Sequence, residues 1–325
     1  MNVKHYRRFL ILPTMLLAAT FVSAQNNVPL DTIPFEIGAD NRIYVETIVN
    51  NDTTRIYRFL VDTGASSCIL NSNIESLMTL VRFKETAKNI GATSVEDDIP
   101  MTSPTQTLQI GHNAVTGLEF VAIPYPVDAW DGVIGLSFLM NFEVALDYNR
   151  WEMYLYKKGS YKADNHAKGY PIKFIQNVPT IGIKASINGM EYALQVETDT
   201  GSDRILDLNT PFVSNHQLAG TLKPFATSKV QGTSEEQIRI ENVFFDSVEI
   251  AGYSLPRFPG GFANAKNGLL ASEKMDGVIG NNLLQRFNQV WDFSNSTLYL
   301  TANNRFYSPF YGFLLQKRKK LTKAI

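Results

Sequence analysis

Residues 42–49 alternate between apolar and polar positions, Asn50-Asn51-Asp52 offers a turn, and the alternation returns over 57–61. The figure is written a second time. Residues 180–187 alternate, Asn188-Gly189 turns the chain, and 192–196 return. Period-two alternation closed by Asn-Gly predicts a β-hairpin, because Asn and Gly accept the positive φ angles that a two-residue turn needs. Short alternating runs and frequent turn residues continue along the chain, and the 3.6-residue period of helices is sparse. Short helices are expected at 137–142 and 282–287. The fold class is therefore read as all-β.

The repeat extends beyond the hairpins. Asp131-Gly132-Val133-Ile134-Gly135 recurs letter for letter as Asp276-Gly277-Val278-Ile279-Gly280. In the same register Leu139, Phe142, Asp147, Tyr154 and Leu155 meet Leu284, Phe287, Asp292, Tyr299 and Leu300. Upstream, Phe59-Leu60-Val61-Asp62-Thr63-Gly64-Ala65-Ser66 is echoed by Val196-Glu197-Thr198-Asp199-Thr200-Gly201-Ser202-Asp203. Repeats of this kind decide architecture. Two homologous β lobes are expected at 35–158 and 171–302, joined by a polar linker at 159–170. A lead-in at 25–34 precedes them. A tail at 303–325, with Lys317-Arg318-Lys319-Lys320, reads as a solvated end.

Charge and composition narrow the function. The 325 residues carry 30 basic and 31 acidic side chains. That balance leaves no electrostatic footprint for nucleic acid. Residues 1–24 read as a secretory signal peptide, with Lys4, Arg7 and Arg8, then an apolar run over 9–22, then Val22-Ser23-Ala24. The run is too short to span a bilayer, so an exported, periplasmic or secreted protein is expected. Cys68 is the one cysteine. It allows no internal disulfide and reads as a small packed hydrophobe. The four histidines are scattered, and neither a His-Glu-x-x-His motif nor a Gly-x-Ser-x-Gly elbow occurs. No metal and no cofactor are expected.

An Asp-Thr-Gly at the end of an apolar strand, once per half, remains. Packed about a pseudo-two-fold axis, Asp62 and Asp199 would meet. Two carboxyl groups held together share a proton, and one can take a proton while the other gives one. Gly64 and Gly201 would allow close approach of the loops. Thr63 and Thr200 would hydrogen-bond across the axis. Asp131, Asp276, Asp147 and Asp292 also repeat, yet they read as turn or strand-end residues.

These motifs resemble the pepsin and retropepsin superfamily of aspartic peptidases, in its bacterial secreted form with two retropepsin-like units in one chain. Val133-Ile134-Gly135 and Val278-Ile279-Gly280 are similar to its apolar-apolar-Gly segments, and the likeness runs over about 35–302. The resemblance implies two pseudo-symmetric β-barrel lobes with the cleft between them and an active monomer. It also implies an endopeptidase whose water is activated by Asp62 and Asp199, acting on peptide or protein substrates. It casts Ser202 as a hydroxyl donor to the neighbouring carboxylate, a role that Ala65 cannot fill. It places Leu60 and Glu197 beside the scissile bond, and Asp203, with Ser66 in the equivalent place, against substrate backbone. Gly91 and Gly232 would lie in mobile flap hairpins at 90–95 and 230–234. Glu197-Thr198 departs from the apolar pair usual there. It leaves three readings open: a pocket for a basic side chain, an internal pair with Arg204, or a charge acting on the dyad. A degenerate lobe that binds extended peptides without cutting them is the alternative function. Arg204 could likewise pair with Asp203.

Overall fold

A computed structural model describes residues 27–89, 91–93, 97–163, 167–231 and 237–310. Both hairpins form. Ile43–Val49 pairs antiparallel with Tyr57–Val61, and Val178–Ile187 with Met190–Asp199. At the second turn Asn188 and Gly189 take φ of 52° and 75°, the left-handed conformation for which their sequence was read.

The repeated Asp-Gly-Val-Ile-Gly blocks supply the neighbours of the Asp-bearing strands. Gly132–Ile134 runs parallel to Tyr57–Val61, and Gly277–Gly280 runs parallel to Met190–Asp199. Cys68–Asn71 and Leu206–Leu208 flank these blocks on the far side. Each lobe thus carries one large sheet, ten-stranded in the first half and eight-stranded in the second. Asp131 and Asp276 bracket the equivalent strands. Their Oδ2 atoms accept the amides of Arg58 at 2.8 Å and Gln195 at 2.7 Å. Asp147 and Asp292 accept amides in the following turns.

A third, six-stranded sheet joins the lobes. Its order is Asp31–Pro34, Glu152–Lys157, Phe142–Asp147, Phe287–Asp292, Thr297–Ala302, Lys168–Pro171. Read from either edge, equivalent strands follow in the same order, and the pseudo-axis passes between the central pair. There Val144 opposes Trp291 and Leu146 opposes Gln289. Both edge strands come from stretches expected to lie outside the lobes, namely the lead-in and the linker. The short helices, Leu136–Leu139 and Asn281–Leu284, stop before the expected ends. Phe142 and Phe287 already start strands of the joining sheet.

One core cluster runs through both lobes, with Phe59, Phe120 and Phe138 of the first and Phe245, Phe258 and Phe287 of the second fully buried. Each such side chain contributes roughly 1.5–3 kcal/mol of burial. Cys68 is buried within it, and burial pushes its thiol pKa up. Among the described residues no helix is long and apolar enough to cross a membrane, and no His, Cys, Asp and Glu cluster could hold a metal.

Candidate active site

The two Asp-bearing strands end face to face on the pseudo-axis. Thr63 donates its hydroxyl to the Thr198 carbonyl at 2.7 Å, and Thr200 donates to the Val61 carbonyl at 2.8 Å. Each threonine oxygen also accepts the other's amide, at 3.1 Å in both directions. Both threonines are buried, so these four bonds tie the loops together where water cannot compete. Asp62 Oδ1 accepts the amides of Gly64 and Ala65 at 2.7 and 3.1 Å, and Asp199 Oδ1 those of Gly201 and Ser202 at 2.7 and 3.0 Å.

The glycines are required by proximity. A Cβ on Gly64 would lie 2.7 Å from the Asp199 carboxyl carbon, and one on Gly201 would lie 2.3 Å from that of Asp62. Each loop therefore presses backbone against the opposite carboxylate. The two carboxyls are close enough for each to act on the other's titration. Burial lifts both pKa values above the ordinary carboxylate range, and for Asp199 the charges of Asp62 and Glu197 lift it further. Two carboxyls placed in this way titrate as a pair.

The dyad lies in a cleft of about 760 Å³ lined by Leu60, Ser66, Gly91, Glu197 and Asp203, among others. Five of the six side chains read as substrate-facing are thus brought to one cavity. The sixth, Gly232, lies outside the described residues, as do parts of both expected flap segments. Gly91 and Ala92 follow the strand Phe83–Asn89, and their carbonyls accept the amides of Leu269 and Leu270 at 3.1 Å each. The first-lobe hairpin therefore crosses the cleft and bonds to the second lobe.

The local partners bear on three expectations, and the two that concern Arg204 are corrected. The Ser202 hydroxyl accepts the Arg204 amide at 3.3 Å, and it is the Ser202 amide that serves Asp199. Ala65 supplies the same amide to Asp62. Arg204 pairs with neither Asp203 nor Glu197. Three residues along the chain it meets Asp207 in a two-pronged ion pair at 2.6 and 2.9 Å. Asp203 faces Arg42 instead, at 3.8 Å.

Arg42 is the residue that sequence reasoning missed. Its Nε donates to the Gly201 carbonyl at 2.5 Å, and its guanidinium reaches Asp40 at 3.2 Å. A first-lobe side chain thereby holds the second-lobe loop that carries Asp199, and its charge acts on Asp62. Its place at the head of the first hairpin gave no sign of this, because the contact lies 159 residues away along the chain.

The architecture is that of the two-lobed aspartic proteinases. It matches the crystal structure of the aspartic proteinase from Irpex lacteus with a TM-score of 0.53 at 12% identity, over 86% of this chain and 99% of that one. Residues 45–138, most of the first lobe, match the aspartyl protease family. The chain is thus similar to the aspartic proteinases in fold and, over residues 45–138, to the aspartyl protease family in sequence. No curated protein sequence shows a significant match to it.

Proposed function

We propose that the protein is an aspartic endopeptidase in which Asp62 and Asp199 together activate one water. The observation that carries this is the matched pair of loops: two half-buried carboxyls that each face the opposite loop's glycine and are each held by two backbone amides. In that arrangement the ionised carboxylate takes a proton from water as the oxygen attacks the peptide carbonyl carbon. The protonated partner gives its proton to the carbonyl oxygen, leaving a tetrahedral diol. Collapse transfers a proton to the amide nitrogen and breaks the C–N bond, returning the shared proton to the pair. The protein would act as an exported monomer on extended peptide segments lying along the cleft.

Asp62→Asn and Asp199→Asn are the test. Each removes one proton-carrying oxygen and keeps the shape, so each variant should unfold like wild type while cleavage of a peptide library falls at least about a thousandfold, with proton transfer and the matched dyad both lost. Retained cleavage in either variant would take that carboxyl out of the mechanism. A wild-type protein that binds peptides and cuts none would favour the binding-only reading.

A further inference from the structure

The two walls of the cleft are one row of side chains written twice in different chemistry. In the first lobe, strand register lines up Tyr44, Leu60, Val133, Ile69 and Val121 across five adjacent strands. The equivalent row of the second lobe is Thr180, Glu197, Val278, Asp207 and Gly261. Residues paired in register share a face of their sheet. Leu60, Ile69 and Val121 of one row, and Glu197, Val278 and Asp207 of the other, line the cleft. Where they line the cleft, the first row is apolar and the second carries two acids, although Arg42, Ser66, Ser67 and Lys88 also line the first-lobe side.

Those two acids differ in their partners. Asp207 is neutralised by Arg204, whose guanidinium is further held by Asn242 at 2.9 Å and Ser228 at 3.2 Å. Glu197 has no cation against it among the described residues. The charges that act on it or that it acts on are Asp62 and Asp199, both acidic. Arg42 is committed to the Gly201 carbonyl, Asp40 and Asp203. Lys88 is paired with Asp98, and Lys229 is exposed on the cleft wall. The same side of the cleft offers Val178, Leu269 and Leu270. Two residues of strand, about 7 Å, separate Glu197 from Asp199 along the chain. The pocket it faces is therefore the one beside the reacting bond.

We propose, on the reading of this site as a peptidase, that the cleft selects an apolar side chain on one side of the scissile bond and a lysine or arginine on the other, with Glu197 as the acid that receives the cation. The aliphatic stem of Lys or Arg suits the apolar wall, and its charge reaches the carboxyl at the base. Burial and the Asp62 charge push the Glu197 pKa up to about 8. In the free site Glu197 is accordingly protonated near neutral pH, and the arriving cation releases that proton to solvent.

The test uses non-hydrolysable octapeptides with a reduced-amide bond at the centre, flanked by Leu and either Lys or norleucine, in both orders. Binding is measured by calorimetry at pH 7 in two buffers of different ionisation enthalpy, with wild type, Glu197→Gln and Glu197→Leu. In at least one order, wild type should prefer Lys over norleucine by about tenfold or more, as a desolvated charge pair allows. Binding of that peptide should release close to one proton. In Glu197→Gln the ratio should fall to near one, and in Glu197→Leu it should invert. A Lys-to-norleucine ratio near one in wild type, or one unchanged in both variants, overturns the proposal and leaves the peptidase reading standing. Failure of every peptide to bind wild type, together with absent cleavage, removes the peptidase reading itself and this proposal with it.

Discussion

Glu197 makes stability depend on pH in a direction opposite to that of most carboxylates. Its acid titrates near 4.5 in an ordinary setting and at about 8 in the folded site. Between those values the native state holds a proton that the unfolded chain has lost. The stabilisation linked to that proton is complete below about pH 4.5 and disappears as pH rises through 8. Urea unfolding at pH 5 and pH 9 measures this. Wild type should lose roughly 2–4 kcal/mol more over that interval than Glu197→Gln, which carries no titrating group there. Equal losses in the two proteins would show that Glu197 is solvated or paired in solution. At this scale the sequence spoke unevenly. The meeting of Asp62, Asp199 and the threonines was legible because they sit in a contiguous motif written twice. Arg42 and the Arg204–Asp207 pair were not, since strand register and the turn after Ser202 decide which side chains meet.

The hairpins were legible as elements because alternation and the Asn-Gly turn are local signals. The joining sheet was not, because its edge strands, Asp31–Pro34 and Lys168–Pro171, are short polar-flanked runs that look like connectors until a partner strand is supplied. The bridge over the cleft was equally hidden, since it is made by backbone. There Gly268 has φ 77° and ψ −168°, a region that only glycine occupies readily. A Cβ at that position would lie 2.5 Å from the Gly91 carbonyl oxygen. Gly268→Ala should therefore cost about 1–3 kcal/mol of local order and detach the hairpin tip from the second lobe. Hydrogen exchange reads this directly. The Leu269 and Leu270 amides, which donate to Gly91 and Ala92, should lose protection while the amides of Gly64 and Gly201 keep theirs. If Leu269 and Leu270 stay protected in the variant, the tip is not held by these bonds. A looser tip should also raise KM for long peptides more than it changes kcat, because cleft closure orders the bound chain.

The duplicated chain has used its repeat to enclose within one molecule what a symmetric pair would need two chains to build. The pseudo-axis passes through the central strands of the joining sheet, where Val144, Ala145 and Leu146 oppose Trp291, Val290 and Gln289. It also passes through the reciprocal threonine bonds above the dyad. Duplication then freed the two copies to diverge: Leu60 and Ile69 face one half of the cleft, and Glu197 and Asp207 the other. A homodimer of single lobes would present the same chemistry on both walls, so the asymmetry belongs to the single-chain arrangement. Both halves of the dyad being covalently linked, the active unit should not depend on concentration. Specific activity should stay constant as the protein is diluted from micromolar to nanomolar, and light scattering should give the mass of one chain at the upper concentration. An obligate dimer of lobes from different chains would instead lose activity as concentration falls through its dissociation constant. Because the joining sheet and the threonine bonds act in parallel, Thr63→Val and Thr200→Val should each lower activity more than global stability. Each removes two bonds to the opposite loop, one donated to a backbone carbonyl and one accepted from the other threonine's amide, and leaves those groups unsatisfied at about 1–3 kcal/mol each, while the six-stranded sheet keeps the lobes together. A dilution curve that steepens in these variants would mean that the lobes exchange between chains, and that the joining sheet alone does not hold them.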